Sequence, residues 1–477
     1  MKPMFIGGRW LPALDGRTLP VVSPADGEAF EQVARGTAAE VDLAVAAARA
    51  ALDGPWGRLS ATERGRLLVR IGQAVQDHED ELTRIEALDT GKPLGTARND
   101  IKVLARYFEF YGGAADKVHG QVIPFLPGHQ VSLLREPLGV TAHIIPWNYP
   151  AQMLGRTVVP ALAMGNATVL KPAEDTPLSA LRVAEIAAAA GLPDGALNIV
   201  TGLGEEAGAA LAAHPGIDLV SFTGSNEVGT LVQQAAAKNA VKCVLELGGK
   251  SPQIVFDDAD LDRALPIIVR AIVQNAGQTC TAGSRLLVQR SCQARVVERL
   301  AEAFAKVRVG PPQMDLDCGP LMNAAQLRRV QRYIANARAD GIPVLAEGSI
   351  AAGAPPSGYY VKPTVFGPVP RDHALAREEV FGPVLAVLPF DDEADAIALA
   401  NGTDYGLLAA VWTENAGRLQ RVAKAVKAGQ VFMNCYGAGG GVELPFGGTR
   451  RSGHGREKGL LALEELSSTK TLVHYHG

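Results

Sequence analysis

From Leu138 to Phe256 short runs rich in β-branched residues alternate with helical patterns, and this alternation restricts the possible folds more than any other feature. The runs read GVTAHII, ATVLK, ALNIV, IDLVSF, CVLEL and PQIVF. Strands separated by helices pair in parallel, so a parallel sheet with covering helices is expected. The helix after Lys171 has clear signals: Thr176 as cap, Pro177 at the first helical position, Leu181, Ala184 and Ala188 on one face, and Gly191-Leu192-Pro193 as the stop. After Lys250 the pattern resumes, with a helix expected over Leu261 to Gln274 and a strand over Leu286 to Gln289. A chain of 477 residues exceeds one ordinary core. Residues 1–117 and 138–248 are therefore read as one α/β lobe and 249–447 as a second. Residues 118–137 and 465–477 stand apart. They hold two alternating runs around Pro127-Gly128, read as a hairpin over Gly120 to Glu136, and a strand over Lys470 to Tyr475. Neither adjoins a helix in sequence, so both are candidates for pairing with another subunit.

Composition narrows the partners. Charged residues make up 20 %, the formal net charge is −4, and no Lys/Arg block occurs, so nucleic acid is not an expected partner. The first residues, MKPMFIGGRWLPALDG, meet Gly and Trp too early for a signal peptide, and apolar stretches such as Ala184 to Ala190 fall short of the roughly 20 residues of a membrane span. The five cysteines include no CxxC and no nearby His cluster, which argues against disulfides and against a metal site. A cytoplasmic protein with a small-molecule ligand is expected.

Cys280 sits in GQTCTAGSRLL among glycines and hydroxyl residues, about thirty positions after ELGGKSP, which begins with Glu246. A thiol titrates near pH 8.5, so a nucleophilic cysteine needs partial exposure and polar surroundings, and this composition suggests them. A carboxylate in a second small-residue loop is the natural base.

Further motifs lie in register with these: IPWNYP (Ile145 to Pro150), KPAEDTP (Lys171 to Pro177), FTGSNEVG (Phe222 to Gly229), EEVFGPV (Glu378 to Val384), and PFGG with GREKG (Pro445 to Gly459). In this order and spacing they resemble the NAD(P)-dependent aldehyde dehydrogenase superfamily from about Phe5 to Val473. The resemblance implies two Rossmann-type α/β lobes, an NAD-binding domain (1–117 and 138–248) and a catalytic domain (249–447), plus a small β segment (118–137 and 465–477) for a homodimer or homotetramer. It implies oxidation of an aldehyde to the acid, with Cys280 as nucleophile, the Asn148 amide in the oxyanion hole and Glu246 activating water against a thioester. It also implies a cofactor site. No GxGxxG follows the first strand; Gly224 and Gly229 instead bracket a helix start where backbone N–H groups and Ser225 can meet a phosphate. Lys171 and Glu174 match the pair at the adenosine ribose, where a carboxylate repels a 2′-phosphate and favours NAD over NADP. Glu379 matches the residue at the nicotinamide ribose, Phe381 packs near the ring, and Trp147 lies along the path. Ile145, Pro146, Gly204, Phe222, Val228 and Leu247 complete the cofactor set.

Two departures bear on the substrate. Many members carry a lysine where this chain has Thr157, forming a proton path with the glutamate matching Glu457. Beside it stands Arg156, which resembles the carboxylate-gripping arginine of succinate-semialdehyde dehydrogenases, whose second arginine is Gln274 here. A helix from Pro150 places Gln152, Met153 and Arg156 near one face, so these, with Tyr149, Thr279 and Thr281, are the expected substrate tunnel. The glycine-rich loop Gly437 to Gly441 lacks the aromatic of many relatives, which widens the entrance. A semialdehyde acid or an aromatic aldehyde fits this picture. Release of the thioester to coenzyme A is disfavoured by Glu246, a thiol hydrolase by the nicotinamide-site residues, and a non-catalytic homologue by retention of Cys280.

Overall fold

The computed structural model describes residues 1–437 and 441–477. Its first sheet has eight strands in the order Arg9–Leu11, Met4–Ile6, Leu197–Ile199, Ala167–Lys171, Val140–Ile144, Leu219–Thr223, Lys242–Glu246 and Gly453–His454. The five from Leu197–Ile199 to Lys242–Glu246 run parallel. Their residues are almost continuously apolar because helices cover both faces. The register sets Ile144 beside Lys171 and beside Phe222, and Thr223 beside Glu246, so these strands end on one edge.

The last run of the alternation, Pro252–Val255, leaves this sheet. It pairs with Arg285–Gln289 and Leu408–Trp412 in a seven-stranded second sheet, which continues through Val384–Phe390, Thr364–Phe366 and Val344–Glu347 on one side and Gln430–Met433 on the other. Only Val344–Glu347 is antiparallel. The helix Leu261–Val273 matches its expected span within one residue, and Asp260 caps it. The chain returns to the first lobe at its end: Gly453–His454 pairs with Leu245 and Glu246, and Leu463 and Leu466 join that lobe's core.

One sequence expectation needs correction. Thr176 does not cap the helix Leu178–Ala189, which starts one residue later than expected with Pro177 at its cap position. The Leu178 N–H instead donates to Asp89 Oδ2 at 3.0 Å, so a buried carboxylate from the helix Glu79–Thr90 satisfies the helix end. The two segments set aside for subunit pairing pair first with each other. Ser467–Tyr475 runs antiparallel to His129–Pro137, which also pairs with Gln121–Ile123. The outer edge of Ser467–Tyr475 has no strand beside it among the described residues.

The helix Pro150–Ala163 is buried along nearly its whole length. Pro150 occupies its first turn, where the missing N–H costs nothing. Gly155 lets it approach the helix Leu94–Ala114: a Cβ there would lie 2.7 Å from the Tyr107 ring. That close packing fixes the position of Arg156, one residue further on.

Candidate active site

Turns leaving the parallel strands at their carboxyl ends bring the candidate residues together, the usual place for ligands in open α/β sheets. After Val140–Ile144 the chain passes Ile145, Pro146 and Trp147 to the buried Asn148. The Asn148 Nδ2 donates to the Gln278 carbonyl at 2.9 Å, which leaves its second N–H uncommitted. The Asn275 amide donates to the carbonyls of both Asn148 (2.9 Å) and Gln278 (3.2 Å), and the Met322 N–H donates to Gln278 Oε1 at 2.8 Å. These bonds join the asparagine turn and the cysteine loop into one rigid unit.

The loop itself is strained. Asn275, Ala276 and Gly277 have successive φ values of 48°, 54° and 69°, a left-handed run that only its surroundings can hold. A Cβ at Gly277 would meet the backbone of Gly382, whose neighbour Phe381 is itself at φ 59°. Cys280 then packs against Leu407, Leu408 and Phe446, and no hydrogen bond engages its backbone N–H among the described residues. The expected polar surroundings are only partly realised: burial pushes the thiol up to about 12, outweighing the pull of the Arg156 guanidinium.

Glu246 ends the strand Lys242–Glu246 and is 1 % exposed. Neither carboxylate oxygen has a hydrogen bond. Arg156 Nη2 lies 3.3 Å from Oε2, close enough to attract but not aligned as a donor. Burial raises this carboxyl to about 8 against that attraction.

Arg156 departs from expectation. Its Nε donates to Glu457 Oε2, its Nη2 faces Glu246, and its guanidinium lies 4.2 Å over the Phe446 ring. Ser221 Oγ donates to the other Glu457 oxygen at 3.3 Å. The guanidinium is thus paired with two internal carboxylates, while its Nη2 keeps no hydrogen bond among the described residues. Helix periodicity placed it on the inner face but could not reveal a carboxylate some three hundred positions away. Thr157 bonds back to the Met153 carbonyl at 3.0 Å, and Met153 is buried.

Gln152 is likewise committed: its amide donates to Asp100 at 2.7 Å, and Asp100 holds Lys92 at 2.5 Å, whose ammonium lies 3.9 Å over the Tyr149 ring. Thr279 and Thr281 bond to each other at 3.0 Å, and the Tyr436 hydroxyl donates to the Thr281 carbonyl at 2.7 Å. Asn275, Gln278, Phe446 and Tyr436 were not singled out from sequence; the Asn275 amide binds the backbone carbonyls of Asn148 and Gln278, which leave no side-chain pattern. Residues 438–440 of the glycine-rich loop lie outside the described residues.

A second group of residues lines the same strand edge. Lys171 Nζ holds Glu174 Oε2 at 2.7 Å; burial opposes ionisation of Glu174, but the lysine outweighs it and lowers its pKa. Ser225 caps the helix Asn226–Ala237, accepting from Val228 N–H at 3.3 Å, and Val228 is 44 % exposed beside it. Phe222 and Leu247 are buried beneath; a Cβ at Gly224 would lie 2.5 Å from the Phe222 ring, and one at Gly229 2.5 Å from Leu247. Above Gly204 there is open space. Glu379 Oε1 accepts from Gly249 N–H at 2.9 Å, and burial raises its carboxyl to about 7. Trp147 meets Phe381 edge to face at 5.4 Å. A helix start for phosphate, two carboxylates with spare acceptor capacity and an aromatic pair fit a dinucleotide. No cluster of potential metal ligands occurs among the described residues.

Residues 10–472 match the aldehyde dehydrogenase family. The benzaldehyde dehydrogenase of Antirrhinum majus, a mitochondrial protein, is 43 % identical over 98 % of this chain and 87 % of its own length. A crystal structure from Burkholderia cenocepacia assigned as an aldehyde dehydrogenase superposes with a TM-score of 0.99 at 60 % identity, covering all of both chains. The NAD+ complex of an aldehyde dehydrogenase from Bacillus cereus gives a TM-score of 0.97 at 39 % identity, over 100 % of this chain and 97 % of its own.

Proposed function

The chain belongs to the aldehyde dehydrogenase family, NAD-dependent oxidoreductases acting on aldehydes, and from that premise we propose that Cys280, Asn148 and Glu246 convert an aldehyde to its carboxylic acid through a thioester on Cys280. The observation that carries this reading is the hydrogen-bonded unit of Asn148, Asn275 and Gln278 at the start of the cysteine loop, which leaves one Asn148 N–H and the Cys280 backbone N–H without partners among the described residues. Two preorganised donors are what an oxyanion requires as the thiolate adds to the carbonyl carbon. A thiol at about 12 needs a proton acceptor close by, and Glu246, unbonded and raised to about 8, is suited to take that proton and later one from water. Bound NAD supplies the acceptor for the hydride that leaves the tetrahedral adduct. Water then attacks the thioester, and the Asn148 amide again meets the oxyanion.

Arg156 serves this sequence as a positioning residue. It balances Glu457, steadies Glu246 electrostatically and, with a guanidinium that stays protonated, cannot itself pass a proton along. It therefore takes the place, but not the titration, of the lysine that Thr157 replaces. For the cofactor, Glu174 with Lys171 would hold the adenosine ribose, the helix start at Ser225 the phosphates, and Glu379 the nicotinamide ribose. Phe446, Phe432 and Tyr436 around Cys280 form an aromatic wall suited to an aryl or apolar aldehyde, in keeping with the benzaldehyde-oxidising relative. The exposed edge of Ser467–Tyr475, with Leu472, Val473 and Tyr475 open to solvent, suits assembly with further copies of the chain. Among the described residues no helix is long and apolar enough to cross a membrane. All five cysteines are free, which suits the reducing cytoplasm. The test is a panel of aryl and aliphatic aldehydes followed by NADH absorbance, with Cys280→Ala beside it: turnover only with Cys280 present is expected, and residual turnover without it overturns the assignment.

A further inference from the structure

Lys458 is a largely buried lysine, its ammonium reaching solvent, that the reaction does not use. It is 7 % exposed, yet no ion pair or hydrogen bond engages its ammonium among the described residues. Its backbone lies in the left-handed region, φ 61°, which a lysine rarely adopts, directly after Glu457. The twist carries Nζ to 5.7 Å from the centroid of the Phe446 ring, the ring that packs against Cys280. Arg156 lies at 4.2 Å from that centroid, so two cations face one aromatic ring.

The carboxylates in reach are occupied. Glu457 holds Arg156, and Glu443 accepts from Arg106 at 2.6 Å. That leaves Glu246, which faces Arg156 and not Lys458. The like charge of Arg156 adds to burial in destabilising the Lys458 ammonium. An ammonium set near the ring that packs against Cys280, attracted by Glu443 and Glu457 but hydrogen-bonded to neither, has capacity for a further anion.

We infer that Lys458 is a specificity-determining residue whose ammonium binds an anionic group, a carboxylate above all, carried by the aldehyde substrate at the end remote from its carbonyl. The inference rests on Cys280 as the nucleophile, because the substrate's position is reckoned from it. The aromatic wall takes the body of the substrate and Lys458 its charge, so an aryl aldehyde bearing a carboxylate combines both contacts. Lys458 thereby assumes the anion-binding role expected of Arg156 from sequence.

Binding measured without turnover separates this inference from the catalytic one. Calorimetric titration of 4-carboxybenzaldehyde and benzaldehyde into Cys280→Ala, with and without Lys458→Met, reads the contact directly. Loss of a charge-assisted hydrogen bond predicts a weakening of about ten- to hundredfold for the carboxylate compound, with benzaldehyde shifted much less. Lys458→Arg should recover most of the difference. A matching trend in kcat/KM with Cys280 present, carried by KM, supports the same conclusion. Equal weakening of both aldehydes, or no change in either, overturns the role of Lys458; retained NADH formation by Cys280→Ala alone overturns the catalytic reading instead.

Discussion

At Glu246 the electrostatics yield a definite pH dependence. Burial raises its carboxyl to about 8, so the base is mostly protonated at neutral pH and becomes competent as pH rises. Steady-state turnover should therefore climb through roughly pH 7 to 9 wherever thioester hydrolysis limits the rate. Glu246→Gln should keep a first burst of NADH and slow later turnovers by about a hundredfold or more; stopped-flow absorbance resolves the two, and simultaneous loss of burst and steady state would assign Glu246 to thiol activation as well. Arg156 lowers the pKa of Glu246, so its removal must raise it further. Arg156→Leu should shift the alkaline limb to higher pH and lower stability by about 3 to 5 kcal/mol, because two buried carboxyls lose their counter-charge. Arg156→Lys should retain most of both. The preference between carboxylated and neutral aldehydes should not follow Arg156; if it does, and the pH profile does not move, the positioning role is wrong. At the cofactor, Glu174→Ser should narrow the gap between NAD and NADP in kcat/KM, since the carboxylate that opposes a 2′-phosphate is gone.

At the level of elements, the motifs lying at strand ends were the most legible part of the chain. Cys280, Glu246 and Asn148 stand in short small-residue turns, and a turn leaves its mark in sequence because glycine and proline carry the backbone requirement. The strand alternation likewise predicted both lobes. Its one misplacement has a physical cause: Asp89, from a distant element, displaces Thr176 as helix cap. Arg156 was illegible for the same reason, since its partner Glu457 comes from the far end of the chain. The loop before Cys280 provides the sharpest test of element-level strain. At Gly277→Ala a left-handed φ of 69° costs about 1 to 2 kcal/mol, and the clash with Gly382 adds about 1 to 3 kcal/mol if the loop does not shift. If it does shift, Cys280 moves away from Asn148. Either a lower melting temperature or a fall in kcat with NAD affinity retained is expected; a variant that melts and turns over like the parent would show that the loop is not held as tightly as its geometry implies.

Across the whole molecule, a three-stranded sheet adds to the two large ones. Ser467–Tyr475 is exposed from Thr469 onward, and it presents Leu472, Val473 and Tyr475 to solvent on a strand with no neighbour at its outer edge among the described residues. Such an edge in a lone chain invites indiscriminate pairing, and addition of a second copy closes it in a defined register. Leu472 and Val473 alternate across the strand, so one charge on each face interrupts both of its surfaces. Leu472→Lys together with Val473→Glu should therefore shift the assembly toward monomer in light scattering at micromolar concentration. The hairpin register should survive, because the nine-residue ladder to His129–Pro137 is made by backbone groups. Because the strand follows directly on Leu463 and Leu466, which anchor the chain end in the core of the first lobe, the same variant should lose little NAD affinity but unfold at a lower temperature. An unmodified protein that is fully active and monomeric at micromolar concentration would rule out assembly through this edge.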